Sequence, residues 1–231
     1  MMIQHLAAIM DGNRRWAKQN GLSYSLGYSD GGFGAAKRAA EFCLSKGIKY
    51  LSLYAFSLEN FKRPQEEQDF LFSSMEKDGE KNIPFFQDAG IKVRFIGDRR
   101  LFPKNIVALA EKLEEETKQG EKLQVNVLFC YGARQELMCG IKELVHKVTS
   151  GVLKETDISE DSLEQCLWTQ GIPHPELIIR TGGAQRLSNF LLYQAAYSEF
   201  YFLDCFWPDI TEMHLQMALD SFYGVKRNFG V

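Results

Sequence analysis

The sequence predicts an α/β fold: a single domain over residues 1–231, with a central six-stranded, largely parallel sheet flanked by helices. Three observations lead there. Short apolar runs rich in β-formers alternate along the chain with segments of helical period. The first of these runs, His5 to Met10, is apolar almost without interruption, as a strand buried on both faces would be. Several runs end in polar clusters, the place where open α/β sheets bind ligands.

The elements follow in order. His5 to Met10 is the first strand, and Asp11-Gly12-Asn13 breaks it with turn formers before a helix from about Arg14. A Gly-rich passage, Gly27 to Gly34, leads into an amphipathic helix through Phe33, Ala36, Ala40, Cys43 and Leu44 that stops at Gly47. Its glycines do not make a nucleotide loop, because Lys37 lacks the preceding glycine of a P-loop and no strand runs directly into the passage. Tyr50 to Phe56 is the second strand, ending in the polar cluster Ser57 to Pro64. Gln65 to Ala89 is helical, bent or broken near Pro84. Lys92 to Gly97 is the third strand, and Asn105 to Gln119 is a helix with Ile106, Leu109 and Leu113 on one face. Leu123 to Tyr131 is the fourth strand. Arg134 to Ser150 is a helix with Leu137, Ile141, Leu144, Val145 and Val148 at helical spacing, and Ser159 or Asp161 caps a short helix through Leu163 and Leu167. Leu177 to Ile179 is the fifth strand, followed by the polar loop Arg180 to Asn189. Phe190 to Tyr197 reads as a short helix, Glu199 to Leu203 as the sixth strand and Thr211 to Phe229 as the last helix.

Composition narrows the function. Hydrophobic residues are 45% and charged residues 25%, enough for a sizeable core under a solvated surface. The net charge of −3 argues against a nucleic-acid binder. Five scattered cysteines without zinc-ligand spacing point to reduced thiols in a cytoplasmic protein. With no signal pattern and no apolar run long enough to span a bilayer, any membrane contact is peripheral.

The polar clusters after strands one, two and five converge on one rim of a parallel sheet. There Asp11 is placed to hold a hard cation, Gly12 lets the backbone approach, and Arg15 grips phosphate oxygens in a fork. Arg180 and Arg186, with Arg63 nearby, add more positive charge than one phosphate requires, which suits two phosphorylated ligands. Asp11, and Glu199 at the start of the sixth strand, supply the oxygen ligands that Mg²⁺ prefers. The chain is unusually aromatic, with 17 Phe and 9 Tyr; most Phe and Leu on the helices are plain core, with a few left to line an apolar slot beneath the rim.

His-x-Ala-x-Ile-Met-Asp-Gly-Asn-x-Arg-Trp-Ala at His5 to Ala17, Leu53-Tyr54-Ala55-Phe56-Ser57-x-Glu59-Asn60 with Arg63-Pro64, the run from Ile179-Arg180-Thr181 through Arg186-Leu187-Ser188-Asn189 to Leu192, and Trp207-Pro208-Asp209 resemble the cis-prenyltransferases over nearly the whole chain. That resemblance implies elongation of farnesyl diphosphate, or another allylic diphosphate, by isopentenyl diphosphate, with Mg²⁺ as cofactor and a homodimer as the assembly. It implies that Asp11 and Glu199 are metal ligands and that Gly12, Asn13, Arg14 and Arg15, with the neighbouring Trp16, receive the allylic diphosphate. Arg180, Arg186 and Ser188 would hold isopentenyl diphosphate. Ser57, Glu59, Asn60 and Arg63 would lie in the loop that closes over the reacting carbons. The family often gives the Asn60 position the role of proton acceptor. An amide is a poor base, so Asn60 is expected to orient a diphosphate oxygen instead.

The chain departs from the family pattern in places. Tyr24 and Tyr28 stand where the family has an arginine and then a histidine, and Ala184 where it has a glutamate. Phe61 and Tyr193 replace tryptophans, and Asn228 interrupts a basic pair near the C-terminus. The rival readings are a non-catalytic partner subunit of a prenyltransferase and an aspartate-nucleophile phosphohydrolase. The latter needs a second aspartate where Asn13 stands.

Overall fold

A computed structural model describes residues 3–23 and 27–224, the side chains of residues 28–30 excepted. Tyr24 and Asn228 lie outside the described residues, as does the side chain of Tyr28.

Six strands form one sheet: β1 (His5–Ile9), β2 (Tyr50–Ser57), β3 (Ile91–Ile96), β4 (Leu123–Tyr131), β5 (Leu177–Arg180) and β6 (Glu199–Phe202). Their order is β3-β4-β2-β1-β5-β6 and every pairing is parallel. The expected six-stranded sheet is therefore present and wholly parallel. From β1 the chain moves outward on one side through β2, whereas from β5 it moves outward on the other. The crevice beyond the carboxyl ends of β1 and β5 is thus a topological switch point, where such sheets bind ligands.

Side-chain alternation assigns the strands to two cores. Leu6 and Ala8 of β1, Leu51 and Leu53 of β2, and Val125 of β4 join the larger one. Ala7 and Ile9, with Leu128, Tyr131 and Ile178, join the smaller. The larger core is covered by α2 (Gly34–Ser45), α3 (Gln65–Lys81), α5 (Lys104–Glu116) and α8 (Glu212–Gly224), which contribute Phe42, Phe72, Ile106 and Leu219 among others. Before them comes the short α1 (Asn13–Gln19), separated from α2 by a π-helical turn, Gly27–Phe33.

Several elements differ from the sequence reading, each for a physical reason. The predicted helix over 65–89 is two, α3 and α4 (Ile83–Asp88). The break falls at Asn82, so that Pro84 sits in the first turn of α4, where its missing N–H costs nothing. Ser159, not Asp161, caps α7 (Glu160–Glu164) by accepting from Ser162 N–H, and Leu167 lies beyond that helix. The stretch 190–197 is a series of turns rather than a helix, because Ser188, Asn189 and Leu191 adopt left-handed φ of 53°, 63° and 43°. The last helix is described as far as Gly224.

The helix α6 (Ala133–Thr149) turns a different face inward from the one its apolar spacing predicts. Glu136, Gly140 and Leu144 are buried, while Ile141 and Val145 are 45% and 56% exposed. The cause is a buried polar cluster. The Glu136 carboxylate accepts from Tyr131 Oη, from Thr169 N and Oγ1, and from Gln194 Nε2, at 2.5–3.0 Å. Four partners offset the cost of burying the charge.

Candidate active site

The register sets the site. Ile9 of β1 pairs with Arg180 of β5, so the residues leaving both strands emerge together at the switch point. The Asp11 backbone N–H donates to Thr181 Oγ1 at 3.1 Å, and that hydroxyl donates back to the Asp11 carbonyl at 2.7 Å, which locks the two turns together.

The Asp11 carboxylate stands between two guanidiniums. Arg15 Nη2 donates to Oδ1 at 3.2 Å and Arg180 Nη2 to Oδ2 at 3.0 Å. Arg15 also donates to the Gly182 carbonyl at 2.9 Å and lies over the Phe206 ring at 5.2 Å. Arg180 is 4% exposed, donates to Ser188 Oγ at 2.8 Å and to the Arg186 carbonyl, and its Nε is buried with no partner among the described residues. A donor left over on a buried cation is what an incoming anion would satisfy. The Arg186 guanidinium is exposed at the mouth.

Two glycines make this packing possible. Gly12 caps α1 at φ 106°, and a Cβ there would meet Phe206 Cδ1 at 2.6 Å. Gly182, at φ 83°, leaves the space that Arg15 fills, since a Cβ would lie 2.5 Å from its Nη2. Trp16 is held at the edge by its Nε1–H, which donates to Asp209 Oδ1 at 2.7 Å. Asn13 donates to the Met10 carbonyl at 3.1 Å, leaving its Oδ1 buried without a partner among the described residues.

The loop after β2 closes the opposite side. A register irregularity between Tyr54 and Ser57 re-aims the end of this strand. Ser57 N–H then donates to Asn60 Oδ1 at 3.0 Å in a reciprocal capping box. Asn60, whose Oδ1 accepts this bond, also lines the pocket. Buried Glu67 forms ion pairs with Arg14 at 3.6 Å and Arg63 at 3.4 Å, tying the first turn of α1 to the start of α3. Sequence reasoning missed Glu67, although its i,i+4 spacing from Arg63 was a signal. It also missed the structural parts of Thr181, Phe206 and Asp209.

Asp11, Asn13, Ser57, Asn60, Arg63, Arg180, Arg186 and Ser188 all face one cavity of about 440 Å³. From the rim it runs inward beneath α2, α3 and α5, where Leu71 and Met75 of α3 and Leu109 and Leu113 of α5 line an apolar slot. Glu199 does not join them. It is level with Leu177 of β5, which is level with Leu6 of β1, so within the chain it lies toward the amino ends of the strands, away from Asp11. The expectation that Asp11 and Glu199 share a metal therefore fails within one chain. Spacing along the sequence could not reveal which end of β6 faces the rim.

The prenyltransferase family model for undecaprenyl diphosphate synthase matches residues 9–230. An isoprenyl transferase of Bacillus subtilis is 41% identical over 227 residues, which is 98% of this chain and 87% of the relative. A ditrans,polycis-undecaprenyl-diphosphate synthase of Xylella fastidiosa, specific for (2E,6E)-farnesyl diphosphate, is 40% identical over 99% of this chain and 89% of its own length. Among solved structures, lavandulyl diphosphate synthase from Lavandula x intermedia, in complex with dimethylallyl diphosphate, superposes with a TM-score of 0.94 at 33% identity. It covers 100% of this chain and 99% of that one. A Campylobacter jejuni structure described as that of 'a probable undecaprenyl diphosphate synthase' gives 0.81 at 32% identity, covering 99% of both chains.

Proposed function

The chain belongs to the undecaprenyl diphosphate synthase family, the cis-prenyltransferases, and from that premise we propose that it condenses isopentenyl diphosphate onto an allylic diphosphate, farnesyl diphosphate first among them. The product is a polyprenyl diphosphate lipid carrier such as undecaprenyl diphosphate. The observation that carries this reading is Asp11, clamped by Arg15 and Arg180 at the mouth of an apolar slot.

Arg15, with Gly12, Asn13, Arg14 and Trp16 around it, receives the allylic diphosphate, and the apolar chain enters the slot. Arg180, Arg186 and Ser188 receive the diphosphate of isopentenyl diphosphate. Ser57, Glu59, Asn60 and Arg63 close over the reacting carbons. The bond between the allylic carbon and its diphosphate oxygen breaks, the new carbon–carbon bond forms, and a proton leaves the isopentenyl unit. The arginines stabilise the negative charge that gathers on the leaving diphosphate. Asn60, whose oxygen is occupied by Ser57 N–H, orients a diphosphate oxygen to take the proton.

The donor set fits Mg²⁺. Asp11 offers a half-buried carboxylate whose oxygens keep lone pairs beyond their arginine bonds, and Mg²⁺ commonly takes one or two carboxylates plus phosphate oxygens. Bound there, Mg²⁺ would neutralise diphosphate charge. Purified protein incubated with radiolabelled isopentenyl diphosphate, farnesyl diphosphate and Mg²⁺ should yield labelled polyprenyl diphosphate. EDTA or Asp11→Ala should abolish it while circular dichroism stays unchanged. No labelled product from the wild type, or full activity in EDTA, would overturn the reading.

A homodimer suits the far edge of the sheet. β6 is an edge strand carrying Phe200 and Phe202, stacked at 6.3 Å and 40% and 37% exposed, with Met213 and Met217 of α8 also exposed. An open apolar edge of this kind favours a covering partner, and a second copy would supply one. No helix among the described residues is long and apolar enough to cross a membrane, so the proposed contact with a membrane is peripheral, through the lipid product.

A further inference from the structure

Asn189 sits where three loops of the rim meet, and it is bonded to all of them. Its backbone carbonyl accepts from Ala133 N–H at 2.8 Å and its Oδ1 from Arg134 N–H at 3.0 Å, both at the start of α6 after β4. Its Nδ2 donates to Glu59 Oε1, in the loop after β2, and to Gln135 Oε1, each at 3.0 Å. The residue itself belongs to the loop after β5, next to Ser188, whose hydroxyl accepts from Arg180. The approach is close enough to require Gly132, where a Cβ would stand 2.7 Å from Asn189 Nδ2.

The backbone around it is strained in a way that needs an anchor. Ser188, Asn189 and Leu191 all have left-handed φ, a conformation that costs free energy for residues other than glycine and persists only where the surroundings hold it. Asn is among the residues that tolerate it best, and here its amide has every hydrogen engaged.

We propose that Asn189 is a positioning residue that sets the isopentenyl diphosphate loop (Arg180 to Ser188) at a fixed distance from the closing loop (Ser57 to Arg63). It touches no substrate; it acts through Ser188 and Glu59. This rests on the condensation reading above and adds which contact aligns the two substrate loops. Asn189 makes no direct hydrogen bond to Asp11 or Arg15 among the described residues and reaches them only through Ser188 and Arg180, so the allylic site should respond less than the isopentenyl site.

The test uses two variants of the full chain. Asn189→Gly keeps the left-handed backbone and removes the side chain. Asn189→Asp keeps the shape and the acceptor but sets a carboxylate against that of Glu59. In both, KM for isopentenyl diphosphate should rise and kcat should fall, each by about tenfold for the loss of a hydrogen bond to a charged group. The dissociation constant of the allylic diphosphate, measured alone by calorimetry, should stay within about twofold, which also reports that the variant is folded. For Asn189→Asp, the ratio of its kcat/KM to the wild type's should climb as pH falls toward 5, because protonating one carboxylate of the pair restores a donor. Isopentenyl constants unchanged in both variants would overturn the inference. So would allylic affinity falling in step with them, or a pH ratio that stays flat. Absence of condensation in the wild type would instead overturn the function proposed above.

Discussion

Arg180 is buried, carries a full charge, and spends two of its nitrogens on Asp11, Ser188 and the Arg186 carbonyl, leaving Nε for a ligand. Arg180→Ala should therefore weaken isopentenyl diphosphate by roughly 2–4 kcal/mol, the usual loss when one partner of a desolvated charged bond is removed. Arg186→Ala should act in the same direction but less, because its guanidinium is exposed. Arg15→Ala should instead weaken the allylic substrate. Steady-state kinetics with each substrate varied in turn checks this division; equal effects of all three on both substrates would refute it. At this scale Asp11 and Arg180 could be singled out because they stand at or just past the ends of recognisable strands, and Arg15 because it opens the helix that follows the first of them. Glu67 and Asn189 were not, since their roles depend on which backbone N–H groups and guanidiniums the fold brings to them.

Beneath the strands' carboxyl ends, a chain of polar side chains crosses the sheet. His5 Nδ1 donates to the Pro173 carbonyl at 2.6 Å and Nε2 accepts from Ser52 Oγ at 2.8 Å; Ser52 in turn accepts from Asn126 Nδ2 at 3.1 Å. This arrangement needs a neutral imidazole. Burial lowers the His5 pKa from its usual 6.5 to about 4, with the Pro173 bond opposing the shift and His174 adding to it. The folded pKa lies below the unfolded one, so the stability is fully present above 6.5 and is lost as pH falls from 6.5 toward 4. The loss over that window is about 3 kcal/mol at ~1.4 kcal/mol per unit. Urea unfolding at pH 7 and pH 5 should show the wild type losing about 2 kcal/mol more than His5→Gln. Equal losses would mean that His5 does not titrate as described. Elements were legible where one periodicity dominated, as in β1 and α5. They were not legible at 190–197, where left-handed residues break an apolar run that reads as helix. Nor was the inward face of α6, which a buried carboxylate, not the apolar stripe, determines.

At the scale of the whole molecule, the wholly parallel sheet puts every strand's carboxyl end on one rim, which is why alternation along the sequence pointed to the rim where Asp11, Ser57 and Arg180 meet. The order of the strands was not in that pattern, and neither was the displacement of Glu199 from Asp11. The outer edge of β6 carries the proposed assembly: Phe200→Glu with Phe202→Lys should convert the proposed dimer into monomers in sedimentation velocity, and an unchanged sedimentation coefficient would exclude this edge. One feature of the rim also governs how the two halves of the site communicate. The Asp11 carboxylate is shared, one oxygen with Arg15, proposed above for the allylic diphosphate, and the other with Arg180, proposed for isopentenyl diphosphate. A diphosphate that draws Arg15 away from Asp11 leaves that carboxylate to Arg180 alone, so the two ligands are thermodynamically linked. Linkage is reciprocal: whatever factor an unreactive thio-analogue of the allylic diphosphate imposes on the affinity for isopentenyl diphosphate, isopentenyl diphosphate must impose on the analogue. Asp11→Asn, which removes the shared charge, should bring that factor close to one.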